Sequence, residues 1–162
     1  MKLKTNVNKK YENPISLIED YDFSFLHEKF KRKYPVNEAV LKEIENEFRK
    51  FLILILINDL PIAATSKKVD ELWHLFIIYT PQYREFCEKV FGHYIDHQPH
   101  SDLTPVPEQA ISNLYLLNKK YFGGVHNFWL EDFPKEHQEE LIEGIIPKPM
   151  TYKWSGWTGR IK

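Results

Sequence analysis

The stretch "NEAVLKEIENEFRKFLILILIND", residues 37–59, constrains the fold of this chain more than any other. Val40, Leu41, Ile44, Phe48, Phe51, Leu52 and Ile55 recur at the spacing of one helical face, and the opposite face is charged. Asn37 stands where an N-cap belongs, its side chain able to accept from a free backbone N–H of the first turn. Towards the end the charged face gives out. "LILILI" has strand propensity, but it continues the 3.6-residue period without a break, so it reads as the buried end of a long helix closed by Asn58, Asp59 and Pro61. Its apolar run is far short of the roughly 20 residues that cross a bilayer, so other elements of the chain have to cover it.

Those elements carry their own start and stop signals. Asn13 with Pro14 opens a short helix bearing Ile15, Leu17 and Ile18, and "DFSFLHEKFKRKY" supplies a further turn or two. Ser66 caps a helix through Ile78 with an apolar stripe of Val69, Leu72, Trp73, Phe76 and Ile77. Thr80 with Pro81 starts another, which Gly92 ends. Prolines 99, 105 and 107 forbid a helix interior, so the stretch from Gly92 to Pro107 is loop or extended chain. "PEQAISNLYLLNKKYF" is amphipathic and stops at Gly123 and Gly124, "PKEHQEELIEG" is a short helix, and "IIPKPMTYKWSGWTGRIK" is punctuated by Pro and Gly. The expected fold is a single all-α, bundle-like domain of five to seven helices around the 38–57 helix. Residues 1–12 form a flexible tail, 13–146 the domain, and 147–162 an irregular aromatic and basic tail.

Length and charge narrow the function. A chain of 162 residues with 43% hydrophobic residues buries a real core as one domain. With 22 Lys and Arg against 23 Asp and Glu, no global field draws it to nucleic acid or to an anionic membrane. Nucleic acid could be met only through the C-terminal tail, where Tyr152, Trp154 and Trp157 interleave with Lys148, Lys153, Arg160 and Lys162. The competing reading, and the favoured one for the Trp residues, is that they fold back over the helical core, because two exposed Trp would form a costly apolar patch. Cys87 is the one cysteine, which excludes an intramolecular disulfide and a Cys-based zinc cluster and favours a reducing, cytoplasmic setting. The polar, basic start has no apolar signal region. Nothing near Cys87 obviously activates its thiol, so it reads as a small buried hydrophobe.

The chemistry-bearing run is "DELWH" followed by a histidine-rich exit, "GHYIDHQPH". On a helix Asp70 and His74 lie one above the other, with Glu71 on the flank. A carboxylate and an imidazole so placed can share a divalent metal, or the carboxylate can hold the imidazole's other N–H and fix its tautomer. A metal such as Zn²⁺ needs a further ligand, for which His97 is the best placed, so the candidate set is Asp70, His74 and His97, with Trp73 and Tyr83 as walls against a bound group. The plain structural reading stands beside it, since acid–His pairs at this spacing are common surface pairs and a His beside a Trp on an apolar stripe is more often a satisfied half-buried residue. His93 and His100 lack a matching motif, and His27, His126 and His137 read as surface or incidental.

The run "VDELWHLFIIYTPQYREFCEKVFGHYIDHQP" resembles the glycine-rich domain-containing protein-like family, a domain of unknown function found in small bacterial proteins and at the N-terminus of plant glycine-rich proteins. The resemblance spans roughly residues 15 to 123. Its signature is a D-x-x-W-H helix, a Tyr and a Cys in the next helix, then a Gly and an H-x-P exit. These match Asp70, Trp73, His74, Tyr83, Cys87, Gly92, His97 and Pro99. Many members look like W-H-x-H, whereas this chain has Phe76 at the second position, which weakens a metal reading if that His is a ligand elsewhere. The resemblance implies no reaction.

Two functional readings follow. One is a small binding protein whose Asp70, His74 and His97 form a polar site for Zn²⁺ or another divalent ion. The other is an interaction module without chemistry, in which the same residues form a structural hydrogen-bond network. The expected partner is a protein or a small ligand, with no membrane involved. A hydrolase or lyase using His74 as a base oriented by Asp70 ranks last, for want of a nucleophile elbow or a phosphate-binding loop.

Overall fold

A computed structural model describes residues 13–150, 154 and 156–158. The expected flexible tail, residues 1–12, lies outside the described residues, as do Tyr152, Lys153, Arg160 and Lys162 of the basic aromatic tail. Among the described residues there are seven α-helices: α1 (Pro14–Asp20), α2 (His27–Lys33), α3 (Glu38–Ile57), α4 (Lys67–Ile78), α5 (Thr80–Phe91), α6 (Glu108–Phe122) and α7 (Lys135–Ile142). Short 3₁₀ turns at Ser24–Leu26 and Asn127–Trp129 link them. The all-α architecture is the expected one, with one small addition: a two-stranded antiparallel ribbon of β1 (His97–Pro99) and β2 (Gly156–Thr158).

The helix ends follow from their caps. Asn37 Oδ1 accepts from the Val40 N–H at 2.9 Å, Ser66 Oγ accepts from Val69 N–H at 3.3 Å, and Asn13 accepts from Ser16 N–H. Gly92 and Gly123 close α5 and α6 with φ of 76° and 77°, a left-handed geometry that a Cβ disfavours. At the α4–α5 junction the cap differs from expectation. Tyr79 is both the C-cap of one helix and the N-cap of the next, and Thr80 is already helical.

Helix α3 is the spine. It packs on α1 and α4, and α5 packs on those same two. Its "LILILI" end is helical to Ile57, although only Phe51, Leu52 and Leu54 are fully buried there; Ile53, Ile55 and Leu56 are half covered and Ile57 is exposed. Beside it an aromatic cluster gathers on Phe76, whose ring centroid lies 5.1–6.0 Å from those of Tyr21, Phe23, Phe25, Tyr83 and Phe86.

The tail's tryptophans turn inward. Trp157 is buried on β2, while Trp154 donates Nε1–H to the Thr65 carbonyl at 3.1 Å and packs its ring on Phe133 and under the Lys67 ammonium. β2 runs between β1 and the residues before α4: Ala64 N–H donates to the Gly156 carbonyl, Thr158 N–H to the Ile62 carbonyl, and Ile62 N–H to Thr158 Oγ1. The strand from the tail thereby becomes the middle of three extended segments. No helix among the described residues is long and apolar enough to cross a membrane.

Candidate functional site

Asp70 lies in the first turn of α4, where the free N–H groups of the helix start favour a carboxylate. It does not turn to His74. Its Oδ1 accepts the His97 Nε2–H at 3.0 Å and the Gly156 N–H at 3.1 Å. Because a carboxylate only accepts, this contact places a proton on His97 Nε2. The His97 side chain is 5% exposed. Its ring meets Trp73 edge-on at 4.2 Å and stacks at 4.5 Å against His74, which covers it from solvent. Glu71 looks elsewhere and pairs with Lys33 Nζ at 2.7 Å.

Under this corner runs a second polar chain. Trp73 Nε1–H donates to Tyr83 Oη at 3.1 Å, and Tyr83 O–H donates to the Ile95 carbonyl at 2.7 Å. Burial pushes the Tyr83 phenol well above its ordinary range, so it remains a neutral donor. Burial likewise pushes the neighbouring Cys87 thiol up, which makes it the inert small hydrophobe its surroundings predict. Trp73 and Tyr83 are both buried and lie beneath the site, fixing α4, α5 and Ile95 to one another.

An open cleft of about 460 Å³ borders the corner. His74 and Ile77 of α4 form one side; Tyr94, Asp96 and β1, with His97, Gln98 and Pro99, form the other. The Tyr94 ring stands edge-on to Tyr83 at 5.2 Å, and burial raises its phenol above the usual value. Of the cleft-lining side chains, Tyr94, Asp96 and Gln98 are ones that motif spacing did not single out. The alternation in "YIDHQP", with Ile95 turned inward and its neighbours outward, was the available signal.

The structure thus brings Asp70, His74 and His97 together, but as a stack and a hydrogen bond. The His74 and His97 rings lie one over the other, tilted by 30°, whereas ligands of one zinc ion converge on a point about 2 Å from each donor. Among the described residues no group of three or more His, Cys, Asp or Glu side chains is arranged to hold a metal ion. Phe76, where the resembling sequences carry a second His, is fully buried in the aromatic cluster, so position 76 serves the core.

The other histidines divide. His93 is exposed, and His100 Nδ1 accepts the Val106 N–H within its own loop at 3.3 Å. His27 and His126 are more than incidental: His27 Nε2 pairs with Glu45 at 3.0 Å across two helices, and His126 Nδ1 caps the Phe128 N–H at 3.1 Å. Away from the cleft, the buried Glu47 accepts from Lys50 Nζ at 2.8 Å, its i+3 neighbour, and from Trp129 Nε1–H at 2.9 Å, the second a contact no sequence spacing announces.

A family model matches residues 14–116, well over half of the chain, and its description is UCP032817-like. The chain belongs to the UCP032817-like family. That family is uncharacterised, and its model covers nearly the same span as the resemblance drawn from the D-x-x-W-H signature without carrying the glycine-rich name. The matched span holds α1 to α5, β1 and the first nine residues of α6, and so includes Asp70, His74 and His97; β2 lies beyond it. Comparison with curated proteins and with solved structures returns no match.

Proposed function

We propose that this protein is a small binding module without catalytic chemistry, working in a reducing, cytoplasmic setting, in which Asp70 and His97 are architectural and the neighbouring cleft receives a polar small molecule or a protein segment. One observation carries the reading: a single buried oxygen, Asp70 Oδ1, accepts both the His97 ring and the Gly156 backbone. Asp70 Oδ1 and His97 Nε2 are thereby committed to hydrogen bonds that join α4, β1 and β2, which supports an architectural role for the pair. His74, Tyr94, Asp96 and Gln98 are the groups that face a ligand. They offer an imidazole, a phenol, a carboxylate and an amide over the apolar flanks of Ile77 and Pro99, the mix of few polar groups on apolar walls that small-ligand sites use.

The test is ligand screening by thermal shift on the wild type and on Asp96→Asn with Tyr94→Phe. Compounds that stabilise the wild type and lose that effect in the double variant support the cleft. Equal stabilisation of both proteins would remove it.

A divalent ion is the second reading, favoured by the convergence of Asp70, His74 and His97 into one contact group. The ion would have to draw His97 Nε2 away from Asp70. Elemental analysis of tag-free protein decides it, since this reading requires about one equivalent of metal, and His74→Ala must lower that content.

A further inference from the structure

We propose that the slot between residues 62–64 and β1 is a strand-binding site selective for a Gly-Trp-Thr segment, and that a second copy of this chain can fill it by exchanging C-terminal strands. The slot is read on both edges. On one, β1 pairs antiparallel, with His97, Gln98 and Pro99 opposite Thr158, Trp157 and Gly156. On the other, Ala63 bridges to Trp157, and Ile62 and Ala64 exchange hydrogen bonds of 2.9–3.0 Å with Thr158 and Gly156. All three residues of β2 are buried. Addition of an extended segment to exposed strand edges is a common recognition mode: the backbone supplies affinity and the side-chain positions supply selectivity.

Each position of the strand has its own requirement. At 156 a Cβ would overlap Cε1, Nε2 and Nδ1 of the His97 ring. That ring is held in place by the hydrogen bond to Asp70 and by buried Trp73. Glycine is therefore the residue that fits, and its N–H completes the Asp70 carboxylate. At 157 the slot takes a large ring out of water, and at 158 a hydroxyl oxygen accepts the Ile62 N–H.

The donor segment is placed for exchange. Among the described residues β2 is the last element in chain order, and residues 143–155, of which the described ones carry no helix or strand, precede it. Extended at about 3.3 Å per residue, that stretch reaches roughly 40 Å, enough to enter the slot of a neighbouring copy once its own contacts, Trp154 with Thr65 and Lys148 with Glu108, are released. A second copy carries the identical strand, so every requirement above is met in trans, and exchange of an identical element is an inexpensive route to a dimer.

The experiment uses the intact chain. Two wild-type preparations, labelled at the N-terminus with a donor and an acceptor fluorophore, are mixed at high concentration and followed to equilibrium, alone and with excess unlabelled peptide of residues 152–160. Energy transfer that develops slowly and is abolished by this peptide is the expected result, with the Gly156→Ala peptide competing about tenfold less well. No transfer at any concentration overturns the proposal. Transfer that neither peptide reduces, or that both reduce equally, also overturns it, because the copies would then be meeting through another surface or through a slot that does not read the glycine.

Discussion

The aromatic cluster around Phe76 and the corner around Asp70 are built on the same helix, α4, and they are stabilised in different ways. The cluster is apolar and redundant: five rings surround Phe76, and each touches others. Its stabilisation is spread over area, so losing one ring costs much but leaves the rest in contact. The corner depends on one carboxylate oxygen that fixes both the orientation of His97 and the docking of β2. Truncating one partner there strands a buried polar group and loosens a whole strand. The corner should therefore fail locally, while the cluster should weaken the molecule globally.

Substitutions test that contrast. Phe76→Ala is expected to have the largest effect, about 3–5 kcal/mol from urea unfolding, in the range for a fully buried aromatic. A cost below about 1 kcal/mol would mean the cluster repacks freely. His97→Ala is expected to cost about 2–3 kcal/mol, from the ring donor lost to Asp70 and the void beside Gly156. Its signature is an added early phase in Trp fluorescence as Trp157 leaves the slot, whereas a single unchanged cooperative transition would speak against a separable corner. His74→Ala removes an exposed ring that covers His97 without holding it by a hydrogen bond, so the shift should stay within about 0.5 kcal/mol.

The smallest expected effect is electrostatic and lies at the start of α4, next to the corner. Asp132 Oδ2 accepts the Lys67 N–H at 2.8 Å, and burial pushes its carboxyl above the ordinary carboxylate value. The folded chain then holds that proton to higher pH than the unfolded one. Its contribution is full below the unfolded pKa and is lost as pH rises through the folded one. Asp132→Asn keeps an oxygen for Lys67 without the charge, so it should gain on the wild type by a few tenths of a kcal/mol as pH climbs through the carboxylate range. Unfolding curves for the two proteins at several pH values would check the sign, and a gap that closes with rising pH would contradict it.

Most of the helical frame was legible in the sequence because its signals are local. Asn13 with Pro14, Asn37, Ser66, Gly92 and Gly123 mark ends by satisfying free backbone groups within a turn or by taking a left-handed φ, and none of these needs the rest of the fold. The sequence grouped His97 with Asp70 and His74, as a further metal ligand or as one member of a structural network, but spacing did not say that His97 is the side chain Asp70 bonds. The local choice of His74 as first partner was not what the fold selects. Helical spacing sets that pair in reach, but His74 is on the solvent side, and Asp70, facing inward, takes the buried donors. The strands were hidden for a different reason. Three residues carry no period, and β1 and β2 meet across nearly sixty residues of chain, so only tertiary pairing defines them.

The central claim is that Asp70 and His97 exist to pin β1 and β2, and amide hydrogen exchange tests it most directly. In His97→Ala the amides of Ala64, Gly156 and Thr158 are predicted to lose about a hundredfold in protection, while the amides of α3 lose no more than the global stability change requires and His74→Ala leaves all of them as in the wild type. Full protection of Gly156 and Thr158 in His97→Ala would contradict the account and return the pair to a chemical role.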